Sequence, residues 1–222
     1  MGSGRREFAR HLPFHEDQAV LLWLKNPHAL YYNDGNINFG ESPVYMEISY
    51  TCFETPWGWC GLVRGSAGLL RIFLPEPDRA LLEDKIRTGY PLFSEDAPAE
   101  LAQEREALQS YFSGGNPAFS FPLDFAGATP FQKAVWKAVR KIPYGQVRTY
   151  QWVSKQIKNL HSMRAAGNAL GRNPFPVVIP CHRVIREDGL LGGFSAPMGL
   201  QMKAALLELE GITLEPYQLK FA

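Results

Sequence analysis

The spacing of hydrophobic positions changes along this chain, and each change predicts a different element. Residues 1–43 are polar and aromatic, rich in His, Asn and Gly, and carry one short amphipathic segment, Asp17 to Lys25. From Val44 the pattern becomes strand-like. Val44–Phe53, Gly58–Arg64 and Gly68–Leu74 are rich in β-branched, aromatic and leucine residues. Thr55-Pro56-Trp57-Gly58 and Gly65-Ser66-Ala67-Gly68 separate them, so an antiparallel three-stranded meander is expected. Pro77–Arg87 and Pro98–Ser113 then read as helices, the second closed by Gly114-Gly115. Asn116–Phe125 lacks a helical period and reads as a linker.

Beyond it the helical period returns. Thr129-Pro130 is a helix start, with Thr as N-cap and Pro in the first turn. Phe131, Val135, Trp136 and Val139 recur at core-packing intervals, and Pro143 sets a limit. Thr149 is placed to cap a helix over Tyr150–Lys158, and a third runs Met163–Leu170. The third is crowded with Ala165, Ala166, Gly167 and Ala169, which suits close approach to another backbone. Two short helices joined by a brief turn read as a helix-turn-helix. Leu200–Glu210 is an apolar helix ended by Gly211.

Charge sharpens this division. The net charge is only +1, yet Phe125–Arg186 holds eleven Lys and Arg and no Asp or Glu. Twelve cations stand against 22 acids in the rest of the chain. Segregation of this kind marks a polyanion-binding face. Hydrophobic content of 45% is that of an ordinary globular protein. No apolar run approaches a membrane span, and none near the start has signal-peptide character, so a soluble intracellular protein is expected. Cys52, Cys60 and Cys181 make no disulfide framework and no zinc-ligand spacing. Cys52 and Cys60 flank a turn and are expected to face each other across a hairpin as structural residues.

Cys181 stands apart. It follows the β-branched run Val177-Val178-Ile179, which reads as a buried strand, and Pro180 interrupts that run immediately before the thiol. His182 and Arg183 follow directly, and two such polar groups in an inert core would need partners. An imidazole beside a thiol points to an activated nucleophile, and a thiol that ionises more readily than free cysteine is expected.

These residues resemble the O6-alkylguanine-DNA alkyltransferases, the methylated-DNA–protein-cysteine methyltransferases. Pro180-Cys181-His182-Arg183-Val184 matches the family's active-site string. Arg164-Ala165-Ala166-Gly167, Arg172-Asn173-Pro174, Tyr144 to Tyr150 and Leu207 to Gly211 stand around it at about the family's spacing. The resemblance is strong from Phe131 to Gly211, weaker over Val44–Asp124 and absent before that. It implies an α+β fold: a small RNase H-like N-terminal domain over 44–124, with the three-stranded sheet, packed on a mainly helical helix-turn-helix domain over 125–222. Residues 1–43 would be an extension without an assigned role.

The resemblance also implies site roles. Cys181 would accept the alkyl group from guanine O6 in double-stranded DNA, with O4-alkylthymine an open alternative, in one irreversible turnover. His182 would act on Cys181 through a water, oriented by Glu210, and Tyr150 would donate a proton to guanine N3. Arg164 would fill the gap left by a flipped nucleotide, with Ala165, Ala166, Gly167 and Arg172 on the DNA, in the minor groove. Leu170, Pro180, Val184, Phe194 and Ser195 would form the base pocket with Tyr150, the carbonyls of Cys181 and Val184 reading the guanine amino group. Asn173 would brace the recognition helix. Neither cofactor nor metal is implied, and a monomer is expected, cytoplasmic in a prokaryote and nuclear in a eukaryote. Ala196-Pro197-Met198-Gly199-Leu200 is about two residues longer than the family's usual loop. A lesion binder without transfer, a transcription regulator and a cysteine hydrolase are the competing classes. The acceptor cysteine argues against the first, and the lack of a second DNA-binding module against the second. A hydrolase would need a distant histidine and an oxyanion hole.

Overall fold

A computed structural model describes residues 48–90 and 99–215. The segment 1–43, with the amphipathic stretch Asp17 to Lys25, lies outside the described residues. The fold is α+β. Strands β1 (Ser49–Thr55), β2 (Gly58–Gly65) and β3 (Gly68–Glu76) form the expected antiparallel meander, with β2 in the centre. Helix α1 (Arg79–Gly89) starts on Asp78, whose side chain accepts from Leu81 N, and α2 (Ala102–Phe112) follows. One face of the sheet packs Cys52 and Val63 against Leu82 and Ile86 of α1. The other face packs Phe53, Cys60, Leu62 and Leu74 into a core that continues through Tyr111 of α2 to Trp136 and Cys181.

Two expectations are corrected here. Cys52 pairs with Gly61, and Cys60 with Phe53. Successive strand residues point to opposite faces, so this register sends the two thiols to different sides of the sheet. The stretch 116–125 is also no free linker. Leu69 and Leu123 form a parallel bridge, Leu69 N donates to Pro122 O and Asp124 N to Leu69 O. Its apolar residues, Phe121 among them, are drawn into the core beside β3.

The remaining elements are mainly helical. In α3 (Pro130–Val139), Thr129 Oγ1 accepts from Gln132 N while the Gln132 side chain accepts from Thr129 N. That reciprocal cap contributes roughly 1 kcal/mol. A two-residue strand β4 (Arg148–Thr149) leads into α4 (Tyr150–Gln156), which Thr149 caps through Trp152 N. Helix α5 (Met163–Gly171) packs on α3, and Trp136 Nε1 donates to Ala169 O. β5 (Val184–Ile185) runs parallel to β4, and α6 (Leu200–Leu209) closes the fold.

Val177–Ile179 is not a strand. Ile179 N donates back to Phe175 O and Cys181 N to Ile179 O, and Val177 sits at φ 72°. Prolines at 174, 176 and 180 leave too few free amides for a ladder, so the run coils tightly into the core. The chain enters a single 3₁₀ turn, Cys181–Arg183, before β5.

Candidate active site

The 3₁₀ turn, the start of α4 and the end of α6 converge around Cys181. The parallel pair Arg148↔Val184 and Thr149↔Ile185 ties the chain before Tyr150 to the chain after Cys181. This is why a helix start and a distant turn share one site. A cavity of about 640 Å³ opens there. Cys181, Tyr150, Gly167, Leu170, Asn173, Phe194 and Ser195 line it, with Arg172 and, from β3, Arg71 to Leu74. Pro180 and Val184, expected in the pocket, are buried and do not line it, so any contribution they make is through the backbone.

Cys181 is 8% exposed, and its sulfur accepts from Asn173 Nδ2 at 3.3 Å. The same amide nitrogen reaches Ile179 O at 2.8 Å, while Asn173 Oδ1 accepts from Phe175 N. Asn173 therefore links the end of α5 to the cysteine turn. Burial pushes the Cys181 thiol up, opposed by the Asn173 amide, the Lys203 cation and nearby backbone amides. The expectation of a readily ionised thiol is corrected: at rest, desolvation outweighs the groups that favour thiolate.

His182 is fully buried. Its Nε2 lies 2.7 Å from Glu210 Oε1, and its Nδ1 has no protein partner. Burial, with the nearby Arg183 and Lys203 charges, outweighs Glu210 and holds the imidazole below its ordinary range. It is neutral. Burial alone would raise the Glu210 carboxyl, but donors from His182, Arg183 and Tyr111 bring it down to about 2. An ionised carboxylate only accepts, so the ring proton sits on Nε2 and the Nδ1 lone pair is bare.

Arg183 forks onto both Glu210 oxygens, Nε to Oε2 at 2.7 Å and Nη2 to Oε1 at 2.9 Å, and its Nη1 reaches Ile142 O. Gly145 N donates to Glu210 Oε2. Gly145 has φ 69°, and a Cβ there would meet Glu210 O at a tight 3.1 Å, so the position favours glycine. Tyr111 Oη donates to Glu210 Oε1 at 2.7 Å.

Tyr150 faces the cavity beside Gly192, where a Cβ would meet the phenol oxygen at 3.1 Å. Burial and the Cys181 charge raise its phenol, opposed by Arg186. Arg164 and Arg172 are exposed on and just after α5, as is Ala165. Ala166 is fully buried and Ala169 nearly so, which corrects the expected outward-facing small-residue face. Those alanines let α5 sit close to α3, and Ala165, Gly167 and Asn168 remain towards solvent or cavity. Arg183 is likewise withdrawn from the basic surface by Glu210.

Sequence reasoning missed Tyr111, Lys203 and the pairing of Arg183 with Glu210. Tyr111 looks like one more core aromatic of α2. The Arg183–Glu210 fork has no short-range signal. Lys203 did have one: it is a charge set among Met202, Ala204 and Ala205 in a largely apolar helix. It is fully buried, with Nζ donating to Val184 O at 2.6 Å and to Leu191 O, and burial lowers it to about 8.

Comparison with known proteins agrees with this geometry. Residues 130–212 match the family model for the 6-O-methylguanine DNA methyltransferase DNA-binding domain. The constitutive methylated-DNA–protein-cysteine methyltransferase of Bacillus subtilis is 35% identical over 164 residues, which is 74% of this chain and 96% of that protein. The methylated-DNA–protein-cysteine methyltransferase of Methanosarcina barkeri is 48% identical over 161 residues, covering 72% and 96%. Among solved structures, Mycobacterium tuberculosis OGT in complex with DNA superposes with a TM-score of 0.61 at 34% identity, over 73% of this chain and 93% of that one. At these identities over nearly the whole length of the relatives, and with Cys181 at the wall of the cavity, the chain belongs to the methylated-DNA–protein-cysteine methyltransferase family.

Proposed function

We propose that the protein repairs DNA by direct reversal, transferring an alkyl group from guanine O6 in duplex DNA to Cys181, once per molecule. The observation that carries this reading is the bare Nδ1 of a buried, neutral His182 whose other nitrogen is committed to Glu210. A water between Nδ1 and the Cys181 sulfur would take the thiol proton to the imidazole. Glu210 stays ionised and stabilises the resulting imidazolium without accepting its proton. The S–C bond forms as the C–O6 bond breaks, and the electron pair goes to the base. Tyr150, across the same cavity, supplies the proton at N3 that makes guanine the better leaving group. The cavity is of a size that holds a drug-sized ligand, ample for a base with its substituent.

The geometry suits a division of labour in which residues 125–222 bind DNA and accept the alkyl group, while 44–124 form an RNase H-like support. α4 and α5 serve as the helix-turn-helix, with α5 outward. A base inside the duplex cannot present its O6 substituent for in-line attack, so it must be extruded. Arg164, exposed at the start of α5, would occupy the gap, with Ala165, Gly167 and Arg172 near the backbone. Few groups on this face read base edges, which fits shape-based docking in the minor groove. The longer loop past Ser195 brings Ala196 and Pro197 onto the cavity wall, where they would set alkyl size.

The test is to mix the protein with duplex DNA carrying O6-methylguanine and map the modified peptide; absence of alkyl on the protein refutes the reading. A second expectation concerns Arg164→Ala. It should slow transfer from duplex DNA by roughly a hundredfold, the scale of an unstacking cost of a few kcal/mol. Transfer from free O6-benzylguanine should hardly change, because the free base needs no extrusion. Equal losses on both substrates would place Arg164 in the pocket instead.

A further inference from the structure

We infer that Tyr111, supplied by the sheet-bearing half of the molecule, is a positioning residue that sets the basicity and aim of His182; this rests on the transfer reading above. Tyr111 lies in the last turn of α2 and is fully buried. Its ring is wedged between Phe112, Phe119 and Tyr144, with centroids 5.4, 6.2 and 6.3 Å away. Burial and the Glu210 charge push its phenol far up, so it remains an O–H donor at every working pH. That donor reaches Glu210 Oε1 at 2.7 Å, and the same phenol oxygen lies 3.3 Å from His182 Nε2. Oη, Oε1 and Nε2 thus form a closed triangle.

Two consequences follow from the triangle. The imidazole edge is held by groups from both halves of the chain, so the bare Nδ1 has one direction. The phenol also draws charge from the carboxylate, which weakens the pull of Glu210 on the Nε2 proton and helps keep the ring neutral. The other charges facing His182 are Arg183, from the same turn, and Lys203, from α6, and both oppose its protonation too. A thiol that burial keeps protonated needs a base that is neutral when the lesion arrives.

Tyr111→Phe keeps the ring and deletes the oxygen. Its His182 should titrate at higher pH, followed by imidazole NMR, and its single-turnover transfer rate should fall roughly tenfold, the scale of one lost bond to a charged group. Duplex affinity should stay the same, because the ring is buried away from the basic face. A folded variant with unaltered His182 titration and transfer rate overturns the inference. If Tyr111→Phe does not fold, nitrogen-labelled wild-type protein decides. A proton on Nε2 with a slowly exchanging Tyr111 hydroxyl supports the inference; a proton on Nδ1 or a freely exchanging hydroxyl overturns it. Titration and tautomer need no lesion. A protein that transfers nothing yet shows the shift would therefore refute the transfer reading and leave the Tyr111 assignment standing.

Discussion

Cys181→Ser should abolish alkyl transfer while duplex binding persists. Serine keeps the size of the side chain and removes the polarisable sulfur. A neutral imidazole is too weak a base to ionise a buried alcohol, whereas a thiol, with a pKa near 8.5 when free, lies within its reach. In the wild type, Asn173, Lys203 and the backbone amides already oppose the desolvation of a thiolate. Intact-mass measurement after reaction should show one alkyl group per wild-type molecule and none on the variant. The stoichiometry follows from the product, since a thioether is displaced neither by water nor by an ordinary thiol. More than one group, or label on Cys52 or Cys60, would sink this claim. Burial fraction alone does not separate the thiols, for Cys52 and Cys181 are both 8% exposed. Access does: Cys181 lines the cavity, and the other two face packed layers of the sheet.

Glu210→Gln should be the most destabilising single change at the site. It removes the only carboxylate that Arg183 meets among the described residues and presents amide hydrogens to a ring of donors. Breaking a buried pair in this way costs about 3–5 kcal/mol. Its pH signature is specific. The native Glu210 carboxyl is depressed from 4.5 to about 2, so its share of stability is complete above the unfolded value and is lost as pH falls towards the folded one. That share is roughly 3 kcal/mol, at 1.36 kcal/mol per pKa unit. His182 acts in the same direction. Its folded value is lowered from 6.5, so below that pH the unfolded chain takes up a proton that the native state resists. Wild-type urea midpoints should therefore drop steadily as pH falls from neutral. In Glu210→Gln the lower part of that decline, between about 4.5 and 2, should flatten. A variant with the wild-type slope there would show that another group carries the acid sensitivity.

Much of the fold was legible because local rules agreed with one another. The meander, the Thr129 and Thr149 caps and the end of α6 each rest on residues within a few positions, where turn chemistry and capping act. Errors arose where a local pattern had a tertiary fate. Val177–Ile179 has strand composition, but the prolines around it deny it a partner. Ala166 and Ala169 look like an open small face, yet both are buried in the core. The 116–125 stretch has no period of its own and acquires structure only by lying along β3.

The same boundary runs through the site. The nucleophile, its neighbouring imidazole, the basic segment and the caps that aim α4 are readable along the chain, because they depend on adjacent residues and on charge counted in order. How the thiol is tuned emerges on folding. Glu210 becomes a five-donor hub because residues 27, 28, 65 and 99 positions away converge on it. Lys203 enters the core because two backbone carbonyls await it, and the thiol is pushed up because the core closes around it. Desolvation and hydrogen bonding depend on what surrounds an atom in space, and that is set when the two halves of the chain pack together.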